Sequence, residues 1–248
     1  MTKVTNVLAQ SFIQPDWPAP LNVHALQTTR IGGVSAKPYN SLNLGDHVND
    51  RALHVAQNRQ LLAPFVPTEP VWMKQVHGTR VLDAAKSSYI ESADAAFTNK
   101  TNVVCVTMTA DCLPVLLCDQ QGSVVAAAHA GWRSLCDGVI EATVKAMPVE
   151  NNQLMAWLGP AIGPDAFEVG EELRTQFIDK DKQAEAAFKP HGSRFLGDLT
   201  MIAKQRLNHL GVTRVYGGGL CTYADALRFF SYRRDGDTGR MATLIWLT

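Results

Sequence analysis

Long apolar runs are missing from this chain: none approaches the roughly 18 consecutive residues that a membrane-spanning helix needs. Missing too is a surplus of either charge. Lys plus Arg and Asp plus Glu stand at 23 each, so no basic excess points to nucleic acid or to an anionic membrane surface. The N-terminus, MTKVTNVLAQSFIQPDWP, has one early lysine, no apolar core segment and a proline at position 15, and does not read as a secretory signal. Cysteines number five, without a paired spacing, which speaks against a disulfide framework and for a reducing compartment. Internal repeats, low-complexity tracts and flexible linkers are also lacking. The expectation is a soluble cytoplasmic protein that binds neither nucleic acid nor membrane.

What the chain does have is apolar content. Hydrophobic residues make up 46% of 248 positions, enough for a sizeable core, and the expectation is one domain over residues 1–248. The stretch 103–133, VVCVTMTADCLPVLLCDQQGSVVAAAHAGWR, holds three short apolar runs at 103–109, 113–118 and 123–128. The gaps between them are too short for crossover helices, so neighbouring runs are expected to pair antiparallel. Up, down and up again, they bring Asp111 and Cys112 in the first turn to the sheet edge that also carries His129.

Elsewhere, residues 21–26 read as a strand ending in the glycine turn Thr-Thr-Arg-Ile-Gly-Gly-Val-Ser at 28–35, whose amides suit an anion. A helix is expected from Asn49 or Asp50 as N-cap to about Leu62. Residues 71–76 read as a strand broken by His77-Gly78 and resumed at 80–82. A helix over 134–147 carries a Ser134/Asp137 capping pattern. Strands are expected at 154–158, 213–216 and 241–247, with an Asp198-capped helix ending before Gly211. Residues 180–197 read as a polar surface excursion. Without strict βαβ alternation, a mixed α+β fold fits best.

His77, in Gln-Val-His-Gly, joins Cys112 and His129 as a candidate metal set. Two imidazoles and a thiolate suit zinc with a fourth position open, where the ion lowers the pKa of bound water to roughly 7. Asp111, beside the cysteine, is a candidate to orient a ligand or carry a proton. The separations of 35 and 17 residues match no compact zinc signature, so buried small hydrophobe, strand-end hydrogen-bonder and turn residue remain open readings. Cys105, Cys118 and Cys136 lie in apolar runs and read as core. His24, His54, His191 and His209 read as surface or satisfied residues, and His47 as a loop histidine.

Together the motifs TTRIGGVS (28–35), SLNLG (41–45), QVHG (75–78), TADCLPVLLCD (109–119), HAGWR (129–133), AWLGPAIGPDAFEVG (156–170) and FFSYRRDGDTGRMA (229–242) resemble the YfiH family, also labelled laccase-domain or multicopper polyphenol oxidase proteins. The resemblance spans nearly the whole chain. It implies a mixed β-sandwich core flanked by helices, and a catalytic zinc on His77, Cys112 and His129. It also implies phosphorolysis of adenosine, inosine, guanosine and methylthioadenosine, deamination of adenosine, and a role in peptidoglycan precursor editing. Two departures stand out. Ser134 follows HAGWR where Gly is usual, which permits a helix cap, and the Asp-Arg that commonly precedes Cys-Thr is absent before Cys221-Thr222.

For phosphorolysis the partners are a purine nucleoside and phosphate. Arg30 beside the glycine turn and the Arg233-Arg234 pair are the phosphate candidates, because guanidinium forks match phosphate oxygens. Asn43 is a candidate for holding substrate hydroxyls. The H-x-E and P-C-x-x-C signature of base deaminases is absent, so deamination here needs another scaffold. Two alternatives stay open: a hydrolase editing peptidoglycan precursors, with Cys112 as nucleophile or with zinc, and a copper polyphenol oxidase on the same His-Cys-His set, with Met108 or Met73 as a distant axial ligand. Seven histidines in all leave little for further copper sites.

Overall fold

The protein's structure, a computed structural model, describes residues 3–87 and 90–248. Its strands are β1 (Val23–Gln27), β2 (Val81–Asp83), β3 (Ala95–Thr98), β4 (Cys105–Thr109), β5 (Leu113–Asp119), β6 (Val125–Ala130), β7 (Leu154–Leu158), β8 (Glu168–Val169), β9 (Phe188–His191), β10 (Arg194–Gly197), β11 (Arg214–Gly217) and β12 (Met241–Leu247). Its helices are α1 (Lys3–Ser11), α2 (Ala52–Gln60), α3 (Trp132–Asp137), α4 (Val139–Ala146), α5 (Glu171–Lys180), α6 (Leu199–His209) and the single turn α7 (Tyr232–Asp235). Among the described residues no helix is long and apolar enough to cross a membrane.

A six-stranded mixed sheet, ordered β11-β7-β5-β6-β3-β2, packs on a three-stranded antiparallel sheet, β1-β12-β4, and a third, smaller sheet is ordered β8-β10-β9. Strand β5 shows why the sheets stack this way. All of LPVLLCD is buried, and successive side chains point to opposite faces. Leu116 and Cys118 meet Ala25, Cys105 and Ile245 of the smaller sheet. Val115 and Leu117 meet Ile140, Val144, Ile202 and Leu207 of α4 and α6. A strand buried on both faces has no polar alternation to show, which is why its sequence is an unbroken apolar run. On the outer face of the smaller sheet, Leu26, Val106 and Leu244 pack with Leu8, Leu42 and Leu62. The result is an α+β fold, a β-sandwich flanked by helices.

Several local expectations are corrected. Strand β4 does not pair with β5. It pairs with β12, Cys105 opposite Ile245 through Thr109 opposite Met241. Asp111 has φ 98°, and that turn carries the chain from one sheet to the other. Residues 71–76 make only isolated bridges, Val71 to Cys105 and Lys74 to Ser92. The Gln75 side chain takes over there, its amide donating to Met108 O at 2.8 Å and accepting from Met108 N at 2.7 Å. Helix 134–147 is two helices, because Gly138 is left-handed at φ 100°. Gly131, not Ser134, caps the first of them. Ser134 instead donates to the His129 carbonyl at 2.8 Å and the Gly131 carbonyl at 3.1 Å. The N-cap of α2 is Arg51, without a side-chain cap; Asp50, one residue earlier, accepts the Arg51 N–H on Oδ1 at 2.8 Å and bonds Ser35 and Asn43 through Oδ2. Residues 180–197 lie largely at the surface, as expected, but they are regular in structure. They contain the β9–β10 hairpin, with Phe188 buried against Phe177 at 5.9 Å.

Candidate metal centre and its cavity

Register brings the first two ligands together. Strands β5 and β6 pair antiparallel with Leu113 opposite Ala130 and Pro114 opposite His129. Cys112, one residue ahead of β5, therefore stands beside the imidazole near the end of β6. His77 arrives from a turn in which its own φ is 59°. The ligand atoms of His77, Cys112 and His129 all lie within 4.8 Å of one another, with Cys112 Sγ 3.7 Å from His77 Nε2. The two imidazole rings meet edge to face, 4.8 Å between centroids. Among the described residues this is the one such group of three or more His, Cys, Asp or Glu side chains.

Asp94 organises the cluster. Its fully buried carboxylate accepts N–H bonds from Val76 at 3.1 Å, His77 at 2.9 Å and Gly78 at 2.7 Å, which pins the His77 turn. The same carboxylate takes the His129 Nδ1 bond at 2.8 Å. That bond fixes the ring orientation and leaves Nε2 to face the cluster, the arrangement that supports a metal-ligating histidine. Burial by itself would raise the Asp94 pKa, but the bonds from His129, Gly78 and Val76 hold it below the ordinary carboxylate value. Sequence reasoning does not single Asp94 out. The available signal is its setting in Ala93-Asp94-Ala95-Ala96, since a carboxylate in a buried apolar run requires partners.

Cys112 and His129 polarise each other. Burial pushes the thiol up, but the His129 charge and the bonds from both imidazoles bring it down to about 6. Burial pushes the His129 imidazole down, but the Cys112 thiolate and Asp94 raise it to about 9. Without metal, the pair at neutral pH is a thiolate and an imidazolium. The residues fit a metal in a second respect. A Cβ on Gly131 would lie 2.6 Å from His77 Cδ2 and 3.0 Å from Cys112 Sγ, so only glycine leaves the three donors room to converge.

The cluster opens on a cavity of about 560 Å³ lined in part by His47, Trp132, Phe167, Tyr232, Arg233 and Arg240. A volume of this order suits a small-molecule ligand. Asp111 also lines it, yet both its oxygens are committed, one to Thr222 Oγ1 at 2.6 Å and the other to Arg233 N at 2.6 Å. Its geometry is that of a brace for the Cys112 turn. Arg233 lies over the Phe167 ring, 5.6 Å from its centroid, and donates to the carbonyls of Ala166 and Glu168. The other basic candidates sit away from the lining. Arg30 donates to the carbonyls of Asn40 and Ala226 and stacks on Phe230. Arg234 is held by Asp235 and by the carbonyls of Thr222, Tyr223 and Phe229. Asn43 is fully buried and does not itself line the cavity; it stands behind Arg240, whose backbone N–H it accepts at 2.9 Å. Arg240 and Arg133 line the cavity instead, and neither is marked in sequence by more than an arginine beside an apolar or aromatic neighbour.

Comparisons with known proteins agree with the architecture. The family model described as multi-copper polyphenol oxidoreductase laccase matches residues 24–248. A relative from Escherichia coli (strain K12) named purine nucleoside phosphorylase YfiH is 52% identical over 238 residues, covering 95% of this chain and 98% of its own length. A Haemophilus influenzae relative named purine nucleoside phosphorylase is 51% identical, covering 94% of this chain and 98% of its own. The crystal structure of a Neisseria meningitidis protein superposes with a TM-score of 0.94 at 48% identity, covering 96% of this chain and 99% of that one.

Proposed function

This chain belongs to the multi-copper polyphenol oxidoreductase laccase family that includes YfiH, and from that premise we propose that it is a zinc-dependent purine nucleoside phosphorylase that also deaminates adenosine. One observation carries the reading: a two-imidazole, one-thiolate donor set opens on a cavity lined by guanidinium and aromatic groups. Zinc suits three such ligands with a fourth corner left for solvent or substrate. When bound there it supplies a Lewis acid for a substrate oxygen.

The chain's own residues account for the rest of the requirement. In phosphorolysis a phosphate oxygen bonds to the anomeric carbon, and the glycosidic carbon–nitrogen bond breaks with its pair passing to the purine. The purine leaves after taking up a proton. Cationic side chains must hold the phosphate, and Arg133, Arg233 and Arg240 line the cavity against a single carboxylate, Asp111. Aromatic faces must hold the base, and Trp132, Phe167 and Tyr232 are present for stacking. Burial and then Arg240 lower the pKa of His47, so at neutral pH it faces the cavity as an uncharged hydrogen-bonding group, and the proton taken up by the purine comes from solvent.

The family description favours a second reading, copper oxidase chemistry. A multicopper centre needs several ligand clusters, and the described residues bring together one. The test is turnover of adenosine by zinc-loaded protein with and without phosphate. Adenine and ribose 1-phosphate are expected with phosphate and inosine without it, and Cys112→Ala abolishes both. Retained activity in that variant, or no reaction with adenosine, inosine, guanosine or methylthioadenosine, would overturn the reading.

A further inference from the structure

The Ser-Leu-Asn-Leu-Gly motif at 41–45 holds no metal ligand, yet its last three residues, Asn43, Leu44 and Gly45, all meet Arg240. Asn43 Oδ1 accepts the backbone N–H of Arg240 at 2.9 Å and that of Gly45 at 2.9 Å, while Nδ2 donates to Gly45 O and Asp50 Oδ2. Leu44 N donates to Arg240 O at 3.1 Å. A Cβ on Gly45 would lie 2.8 Å from Arg240 Cγ, so the glycine gives the arginine stem its resting place. At the far end Nη1 donates to the carbonyls of Thr238 at 2.9 Å and Gly239 at 3.0 Å.

The rest of the guanidinium is free. Among the described residues, Nε and Nη2 of Arg240 have no hydrogen-bond acceptor, and Arg240 has no carboxylate at ion-pair distance, whereas Arg30 lies near Asp235 and Arg234 is paired with it. A part-buried guanidinium stays charged and carries donors in a flat fork matched to oxyanions. This one is fixed at its root and at one corner, so little freedom is lost when the remaining edge takes a ligand. It lines the same cavity as the metal cluster, in a chain whose overall charge is balanced. The cation at the site is therefore a local arrangement.

We propose that Arg240 is the oxyanion anchor of the cavity, receiving inorganic phosphate on its free Nε and Nη2 edge, with Asn43 and Gly45 as the positioning residues that aim it. The anion's identity rests on the phosphorolysis reading, and the anchor itself rests on the geometry.

The experiment is calorimetric titration of inorganic phosphate into zinc-loaded wild type, Arg240→Gln, Arg240→Lys and Gly45→Ala, each with its zinc content measured. Arg240→Gln is expected to weaken phosphate binding about 10- to 100-fold, the range for a lost charge-assisted bond, at unchanged zinc content. Arg240→Lys recovers part of the loss, because the charge returns without the fork. Gly45→Ala, which displaces the stem while keeping the arginine, also weakens phosphate. In turnover the KM for phosphate rises while the KM for nucleoside holds, a split that a general loss of structure does not produce. Phosphate binding by Arg240→Gln at the wild-type level would overturn the proposal, as would wild type that binds no phosphate. So would a dependence on Arg240 seen only with adenosine 5′-monophosphate. If wild type binds phosphate through Arg240 yet turns over no nucleoside, the anchor stands and the phosphorolysis reading falls.

Discussion

At the scale of single residues, the centre depends on a carboxylate that touches no substrate. Asp94 joins the His77 turn to the His129 ring through N–H groups on both sides. Replacing it by Asn puts an amide donor where only acceptors fit. Metal affinity in Asp94→Asn is expected to fall about 10- to 100-fold, measured by competition with a chromophoric chelator, with far-ultraviolet dichroism close to wild type. Protonation at the same site gives a pH prediction. Metal must displace the protons on its ligands. Below about pH 6 both Cys112 and His129 are protonated, between about 6 and about 9 only His129 is, and above that neither is. The pair therefore releases two protons, one and none per metal bound in those three ranges, and affinity climbs with pH until about 9. Calorimetry in buffers of different ionisation enthalpy counts those protons. A count that stays flat from pH 5 to pH 10 (about the span of both transitions) would contradict the thiolate–imidazolium pair.

At the scale of elements, the junction of β6 and α3 is the tightest point. Gly131 has φ −62°, which any residue adopts, so the requirement for glycine comes from the side-chain space above it. Gly131→Ala is expected to keep the fold and lose stoichiometric metal, because the added Cβ meets His77 Cδ2 at 2.6 Å and Cys112 Sγ at 3.0 Å. Metal analysis beside a melting curve separates the two effects. Zinc retained at wild-type stoichiometry would show that the ligands can step aside. The strands themselves illustrate what short-range pattern conveys. The apolar runs of β5, β6, β7 and β12 are visible directly, because each is buried along its whole length. The partner of β4 is not visible. Cys105 faces the inner core while Val104, Val106 and Met108 face the outer one, and a strand buried on both sides fits several neighbours equally well.

For the whole molecule, the ligands come from far apart in the fold: a turn held by β3's preceding residue Asp94, the start of β5 and the end of β6. Metal binding closes that triangle and has no counterpart in the unfolded chain. Free metal at about 100 times its Kd is expected to stabilise the protein by about 2.7 kcal/mol, raising Tm by about 5–10 °C for a chain of this size. A thermal scan of chelated and zinc-loaded protein measures it, and Cys112→Ala shows no such shift. An equal rise in that variant would place the stabilising ion elsewhere.

The sequence by itself determined the α+β class, the position of the main buried strands, the Asp198-capped helix that the structure shows as α6, and the three donors as a set worth testing. These depend on local chemistry: apolar runs, capping side chains and ligand-type residues beside turns. Only the tertiary structure decided that β4 crosses to the other sheet, that Asp111 is tied on both oxygens, that Asp94 stands behind the histidines, and that Arg240 faces the cavity while Arg30 and Arg234 are bound up in the loops around them. Each of those depends on contacts between segments tens to hundreds of residues apart, such as Thr222 with Asp111 and Asn43 with Arg240. A hydrogen-bond partner at that separation leaves no periodic trace along the chain, since it is selected by the packed geometry and not by the neighbours in sequence.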